Sequence, residues 1–180
     1  MINEIKVNYT SLGAVSGIGA SSHYLQLGRY GLLLDSGMDP NADGEEAIPA
    51  YDVIKDKPVH AIMITHAHFD HIGSLPIAIQ HFPRARVYMT PPTAELTEQM
   101  LYHYLKVQQK KQREKVEPFS PLYTEEFVAK IRYIFQSFDY GWEFPLHSHE
   151  ESGIRFSFYD AGHILGSAGV LIEWKGKRIF

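Results

Sequence analysis

The stretch Thr65-His66-Ala67-His68-Phe69-Asp70-His71-Ile72-Gly73 packs three imidazoles and a carboxylate into six positions. These groups form the ligand set expected for zinc, iron or manganese. Residues two apart on an extended chain point to the same side. His66, His68 and Asp70 can therefore converge at a strand end. His71 turns toward the same space as the chain enters a helix, and Gly73 permits the bend. The plainer alternative is a polar loop rich in histidine by chance.

A second stretch, Asp160-Ala161-Gly162-His163-Ile164-Leu165-Gly166-Ser167-Ala168-Gly169, sets one histidine in a glycine-flanked loop between two strands. Alone, His163 reads as a hydrogen-bonded loop residue; beside the first motif it is a candidate third ligand. A third stretch, Leu34-Asp35-Ser36-Gly37, ends an apolar run on a carboxylate. A carboxylate there must be hydrogen-bonded or paired. Asp35 either orients metal-ligating groups or simply forms a turn. Ser21, Ser22 and His23 are candidates to line the pocket. Gly17-Ile18-Gly19 suits either a flexible rim or an anion nest. His147-Ser148-His149 is a second His-x-His pair, best explained as surface loop. His60, His81 and His103 have no partners in sequence.

The elements that must position these groups follow from periodicity. Ile5, Val7 and Tyr9 alternate with Lys6 and Asn8, which is strand spacing. Further strands are expected at 24–27, 32–34, 59–65, 87–90, 154–160 and 170–174, with another beginning at Arg178. Ser74 is expected to cap a short helix with Pro76 in its first turn, a helix start that could offer amides to an anion. Pro91-Pro92 closes a strand, and Leu96, Met100, Tyr104 and Val107 form the stripe of the next helix. Thr124 caps another, striped by Phe127, Ile131, Ile134 and Phe138. The order predicts an α/β (α+β layered) fold, a sheet covered by helices on one face.

Composition sets the outer limits. The chain has 180 residues, 44% of them hydrophobic, enough for one domain with a real core. With 17 basic and 21 acidic residues its net charge is −4, so it is no general electrostatic trap for nucleic acid. There is no cysteine, which excludes disulfides and thiolate ligands. No apolar run reaches the roughly 20 residues that span a bilayer. No membrane partner is expected, and the simplest localisation is cytoplasmic.

The His-x-His-x-Asp-His motif, the preceding Leu-Asp-Ser-Gly and the later Ala-Gly-His-Ile-Leu-Gly-Ser-Ala together resemble the metallo-β-lactamase superfamily. Within it the likeness is to the β-CASP branch of nucleic-acid-processing enzymes, similar to the endonuclease subunit of the cleavage and polyadenylation factor. The resemblance runs over nearly all of the chain. It implies a metallo-β-lactamase-type sheet-and-helix sandwich, with 1–180 as the N-terminal part of that domain and the β-CASP insertion lying elsewhere. It implies His66, His68 and His163 as ligands of a first metal, and Asp70 and His71 as ligands of a second. It makes Asp35 a supporting aspartate, and Asp70 and Asp35 are the candidate catalytic residues; Ser21, Ser22 and Ser167 are candidate substrate contacts from their place beside the motifs. The cofactor implied is zinc: two ions in a complete protein, and one or none in these 180 residues, because the family's bridging aspartate is expected just beyond Phe180. The partner implied is RNA, cut by a metal-activated water. The expectation for the chain alone is little activity, with self-association through surface left bare. Two other functions suit the same fold: hydrolysis of small esters, thioesters or lactams, and a non-catalytic scaffold.

Overall fold

The structure is a computed structural model that describes residues 6–14, 17–114, 121–146 and 149–180. Ile5 and the pair His147-Ser148 lie outside the described residues. Among the described residues, ten strands form two sheets. The first has the order β1 (Val7–Ser11), β2 (His23–Leu27), β3 (Tyr30–Leu34), β4 (Ala61–Met63), β5 (Arg86–Met89), β6 (Phe135–Ser137). Its first three strands are antiparallel; β3 to β6 run parallel. The second sheet has the order β10 (Lys177–Ile179), β9 (Ala168–Trp174), β8 (Arg155–Asp160), β7 (Glu143–Pro145), all antiparallel.

Strands β3, β4 and β5 are covered on both faces, which explains why they read as unbroken apolar runs. Leu33, Ile62, Val87 and Met89 enter one core, packed beneath the helices. Their neighbours Leu32, Ala61, Met63 and Tyr88 enter a second core, shared with Phe156, Phe158, Ile172 and Trp174 of the second sheet. The helices thus cover one face as expected, and the other face carries a sheet. Tyr88 and Phe156 stack across that interface with ring centroids 5.0 Å apart.

Helices α1 (Phe69–Ile72) and α2 (Leu75–His81) link β4 to β5; α3 (Pro91–Arg113) and α4 (Glu125–Ile131) link β5 to β6. Three expectations change here. Pro91 and Pro92 open α3 instead of closing a strand, because Thr90 caps that helix by accepting from the Thr93 amide and proline suits a first turn. The buried stripe of α3 is Thr93, Thr97, Leu101, Leu105 and Gln108. Leu96, Met100 and Tyr104 flank it, and Val107 is exposed. The helix capped by Thr124 stops at Ile131, and Phe135–Ser137 then pairs with β5 as an edge strand. Phe138 therefore joins the aromatic cluster of the second core. Among the described residues no helix is long and apolar enough to cross a membrane.

Candidate metal centre

The site forms at the C-terminal ends of the parallel strands, where open α/β sheets bind ligands. Asp35 follows β3 directly, the loop from Ile64 to His68 follows β4, and His163 comes from the loop between β8 and β9. Phe69 stacks on Tyr104 of α3 with centroids 4.6 Å apart, which pins the motif between two of its polar residues. Asp70 lies in α1 and not on extended chain, and His71 follows it in the same helix, as expected. Gly73 has ordinary helical dihedrals. Its missing side chain matters for space, since a Cβ there would come within 2.7 Å of Met38 Cβ and Phe69 O. Gly37 is tighter still: a Cβ would fall 1.6 Å from Asp70 O.

The imidazoles of His66, His68 and His163 meet. His66 Nε2 lies 3.2 Å from His68 Nδ1, and His163 Nε2 also lies 3.2 Å from it. The three ligand atoms fall within 4.8 Å of one another. Zinc–nitrogen bonds of about 2.0–2.1 Å in a tetrahedron set ligand nitrogens about 3.3–3.4 Å apart. One proton on His68 Nδ1 serves only one of its two neighbours well, whereas a cation among all three serves each. The donor set and its spacing therefore fit a divalent metal such as zinc.

Asp35 organises this end of the sheet. Its Oδ1 accepts from the Thr65 amide at 2.8 Å. Its Oδ2 accepts from Thr65 Oγ1 at 2.9 Å and pairs with His71 Nδ1 at 2.8 Å. The Thr65 hydroxyl, having donated to Asp35, is left to accept from His66 Nδ1, 2.9 Å away. That bond fixes the His66 tautomer and frees Nε2, the atom that faces His68. Burial, reinforced by the neighbouring His71, depresses His66 to about 4, so its imidazole is neutral, as a ligand must be. For His71 burial acts downward, but the hydrogen bond and charge of Asp35, with Asp70 beside it, raise it overall. His71 Nε2 lies 3.6 Å from Asp70 Oδ2, a second acid–imidazole pair next to the triad. Asp35 adopts a left-handed backbone, φ 61°, and the contacts just described hold it there.

The model of the metallo-beta-lactamase superfamily matches residues 16–179. The chain belongs to that superfamily. It is 33% identical to the endoribonuclease ysh1 of Schizosaccharomyces pombe over 96% of its own length and 22% of that protein's. To the cleavage and polyadenylation specificity factor subunit 3-I of Arabidopsis thaliana it is 32% identical, over 94% of the chain and 23% of the relative. The chain thus spans about a fifth of the length of these curated relatives. Among solved structures, the Rm3 metallo-beta-lactamase matches with a TM-score of 0.53 at 16% identity, covering 96% of this chain and 56% of that one. A protein from Enterococcus faecalis V583 matches with a TM-score of 0.61 at 13% identity, over 96% and 42%. These two likenesses concern the fold.

In this metallo-beta-lactamase fold the serines face inward. Ser22 is fully buried and its hydroxyl donates to Asp35 O at 3.0 Å. Ser167 Oγ accepts from the amides of His163 at 3.1 Å and Ile164 at 3.2 Å. Ser21 is buried, and its amide donates to Asp70 O. Their placement supports the ligands from behind. Ser74 precedes α2, but its hydroxyl does not cap that helix. It meets Ser36 Oγ at 3.0 Å and Tyr51 Oη at 2.8 Å, and it is fully buried. The start of α2 is thus closed to an incoming anion. Residues that sequence reasoning passed over include Thr65, Tyr51 and the pair Thr90 and Thr93. The last two both donate to Gly166 O, at 2.7 and 2.8 Å, and clamp the His163 loop onto α3. Hydroxyl residues flanking a ligand motif were the available signal.

Proposed function

We propose that His66, His68 and His163 hold a zinc ion, and that the protein carrying this chain hydrolyses RNA phosphodiesters. The observation behind the reading is the convergence of three imidazole nitrogens at metal-ligand spacing. A bound divalent ion would supply Lewis-acid charge and bring the pKa of a water from 15.7 to about 7. The chain's own residues have definable parts in this reading. Thr65 keeps His66 Nε2 free of its proton. Asp35 orients Thr65 and His71 together. Asp70 Oδ2, partly exposed beside His71 Nε2, accepts a proton from the attacking water, and the same two residues contribute to a second metal position. The choice of RNA rests on relatives about one-third identical whose names call them endoribonucleases. Their greater length supports reading 1–180 as the first part of a β-CASP-type enzyme, and the absence of cysteine suits a reducing, cytoplasmic setting.

The test is twofold. Zinc is titrated into the chelator-stripped chain, and cleavage of a labelled single-stranded RNA by the full-length protein that carries it is followed in parallel with hydrolysis of a chromogenic lactam. The expected result is tight zinc binding that His68→Ala abolishes, with RNA cut and the lactam left intact. Zinc affinity unchanged in His68→Ala would remove the basis for the metal, and lactam turnover without RNA cleavage would move the activity to small molecules.

A further inference from the structure

At the opposite end of the parallel strands lies a groove of about 520 Å³ lined by Lys55, Lys57, Arg84, His60, His81 and His149, with Phe82 in its wall. Lys57 to His60 lead into β4, and Phe82 to Arg84 lead toward β5. The six residues from His60 to His66, at about 3.3 Å each, set the groove roughly 20 Å from the triad. Among the described residues no acidic side chain lines it; Asp56, exposed between the two lysines in sequence, is not among its walls, and Glu151, 3.9 Å from His149 Nδ1, stands behind that ring. Lys55 and Arg84 are exposed and make no ion pair among the described residues. Lys57 rests its ammonium over the Tyr24 ring, 5.4 Å from the centroid. Three cations in one groove, none of them paired with a carboxylate among the described residues, stand out in a chain of net charge −4.

Rings are interleaved with those cations. His60 and His149 meet edge to face with centroids 4.5 Å apart, and Tyr30 packs on both, at 5.3 and 5.9 Å. His81 and Phe82 lie side by side. His60 Nδ1 accepts from the Gly31 amide at 3.1 Å. The neutral ring therefore carries its proton on Nε2, a donor and not a metal ligand.

We propose that this groove binds the phosphodiester backbone of a single-stranded nucleic acid, independently of the metal centre. Positive side chains track a phosphate backbone, and flat rings between them offer faces on which bases stack. An acidic peptide would use the cations and leave the rings idle. The site needs no metal in the triad, so it stands or falls separately from the hydrolase reading.

The experiment measures fluorescence anisotropy of a labelled 20-mer oligouridylate with the protein, in excess chelator so that the triad holds no ion. Each cation that neutralises a phosphate on a single strand contributes about −0.7 to the slope of log affinity against log salt. The triple variant Lys55→Glu, Lys57→Glu, Arg84→Glu should therefore bind at least tenfold more weakly at low salt and flatten that slope by about 2. Because Lys57 is half-buried, the double variant Lys55→Gln, Arg84→Gln, confined to exposed positions, is the second reading and should flatten the slope by about 1.4. Zinc affinity should be unchanged in both. Oligouridylate binding unaltered in the double variant would overturn the proposal. So would a polyglutamate peptide of equal charge that competes as well as the RNA, which would make the partner an acidic protein surface.

Discussion

Thr65→Val tests the central geometric claim with little change of shape. Valine keeps the β-branched outline and the backbone amide, so the 2.8 Å bond from the Thr65 amide to Asp35 Oδ1 survives. Two bonds disappear: the hydroxyl's donation to Asp35 Oδ2 and its acceptance from His66 Nδ1, both 2.9 Å. Asp35 retains His71 as a partner, so it is not orphaned, and the stability cost is two ordinary hydrogen bonds, about 1–3 kcal/mol together. At this chain length each 1 kcal/mol lowers Tm by about 2–4 °C. The larger effect belongs to metal binding. Without the hydroxyl, the proton of His66 is free to sit on Nε2, and the ring is no longer fixed. Loss of such an orienting partner typically costs about 10–100-fold in affinity. The assay is zinc titration against a chelating dye on the stripped protein, alongside thermal unfolding. Thr65→Ser should bind nearly as tightly as the parent, because it restores the hydroxyl. If valine binds zinc within twofold of threonine, or serine falls as far as valine, the Asp35–Thr65–His66 chain does not set the tautomer.

Four other perturbations carry definite outcomes. Ser167→Ala leaves the amides of His163 and Ile164 without their shared acceptor; zinc affinity should fall about tenfold with a loss of roughly 1–3 kcal/mol in denaturant unfolding. Gly37→Ala forces a Cβ against the Asp70 carbonyl, and both folding yield and zinc stoichiometry should drop. Phe156→Ala opens the core between the sheets, where Phe156 is 1% exposed; it should cost about 3–5 kcal/mol while zinc affinity of the folded fraction holds. Burial, then the neighbouring His149, holds the His60 imidazole below its ordinary 6.5. Its proton is therefore bound better in the unfolded chain, and folded stability falls as pH drops through about 6.5; His60→Gln, which can still accept the Gly31 amide, should flatten that limb of a Tm-against-pH curve.

Two members of the triad were legible because their chemistry is local. His66 and His68 are two residues apart on a chain leaving an apolar strand, and His163 stands between glycines at another strand's end. His163 lies 95 residues from His68, on a loop of the second sheet, and was legible through the family-like Gly-His-Ile-Leu-Gly-Ser-Ala stretch and not through spacing. What hid from the sequence was whatever depended on partners far along the chain. β6 and β7 have three residues each, too short for alternation to register, and their pairing is set by β5 and β8. The buried stripe of α3 contains Thr93, Thr97 and Gln108, which no count of apolar residues selects. The two threonines lie at the end of α3 that holds the His163 loop, where Thr93 hydrogen-bonds Gly166. Serine roles were opaque for a related reason: a hydroxyl beside a ligand motif can face substrate or backbone, and only the fold decides. Ser22 and Ser167 turn to backbone groups.

The same reasoning explains why the two loops that carry the triad, and the Asp35 loop beside them, must be rigid. Each loop is tied to another by a bond that does not involve the imidazoles. The Asp35 amide donates to Met63 O, Ser36 to His71 O, and Ala168 to Thr65 O. These link the β3, β4 and β9 ends into one frame before any ion arrives. Such a frame lowers the ordering cost of binding, and its weakest member should be the exposed His163 loop, which hangs on Ser167, on the α3 cap Thr90 and on Thr93. Removing Thr90 and Thr93 hydroxyls together, as Thr90→Val with Thr93→Val, should therefore slow zinc capture and raise its Kd, even though neither residue touches the metal position. An unchanged Kd in that double variant would mean that His163 is ordered by the metal itself and not by the frame.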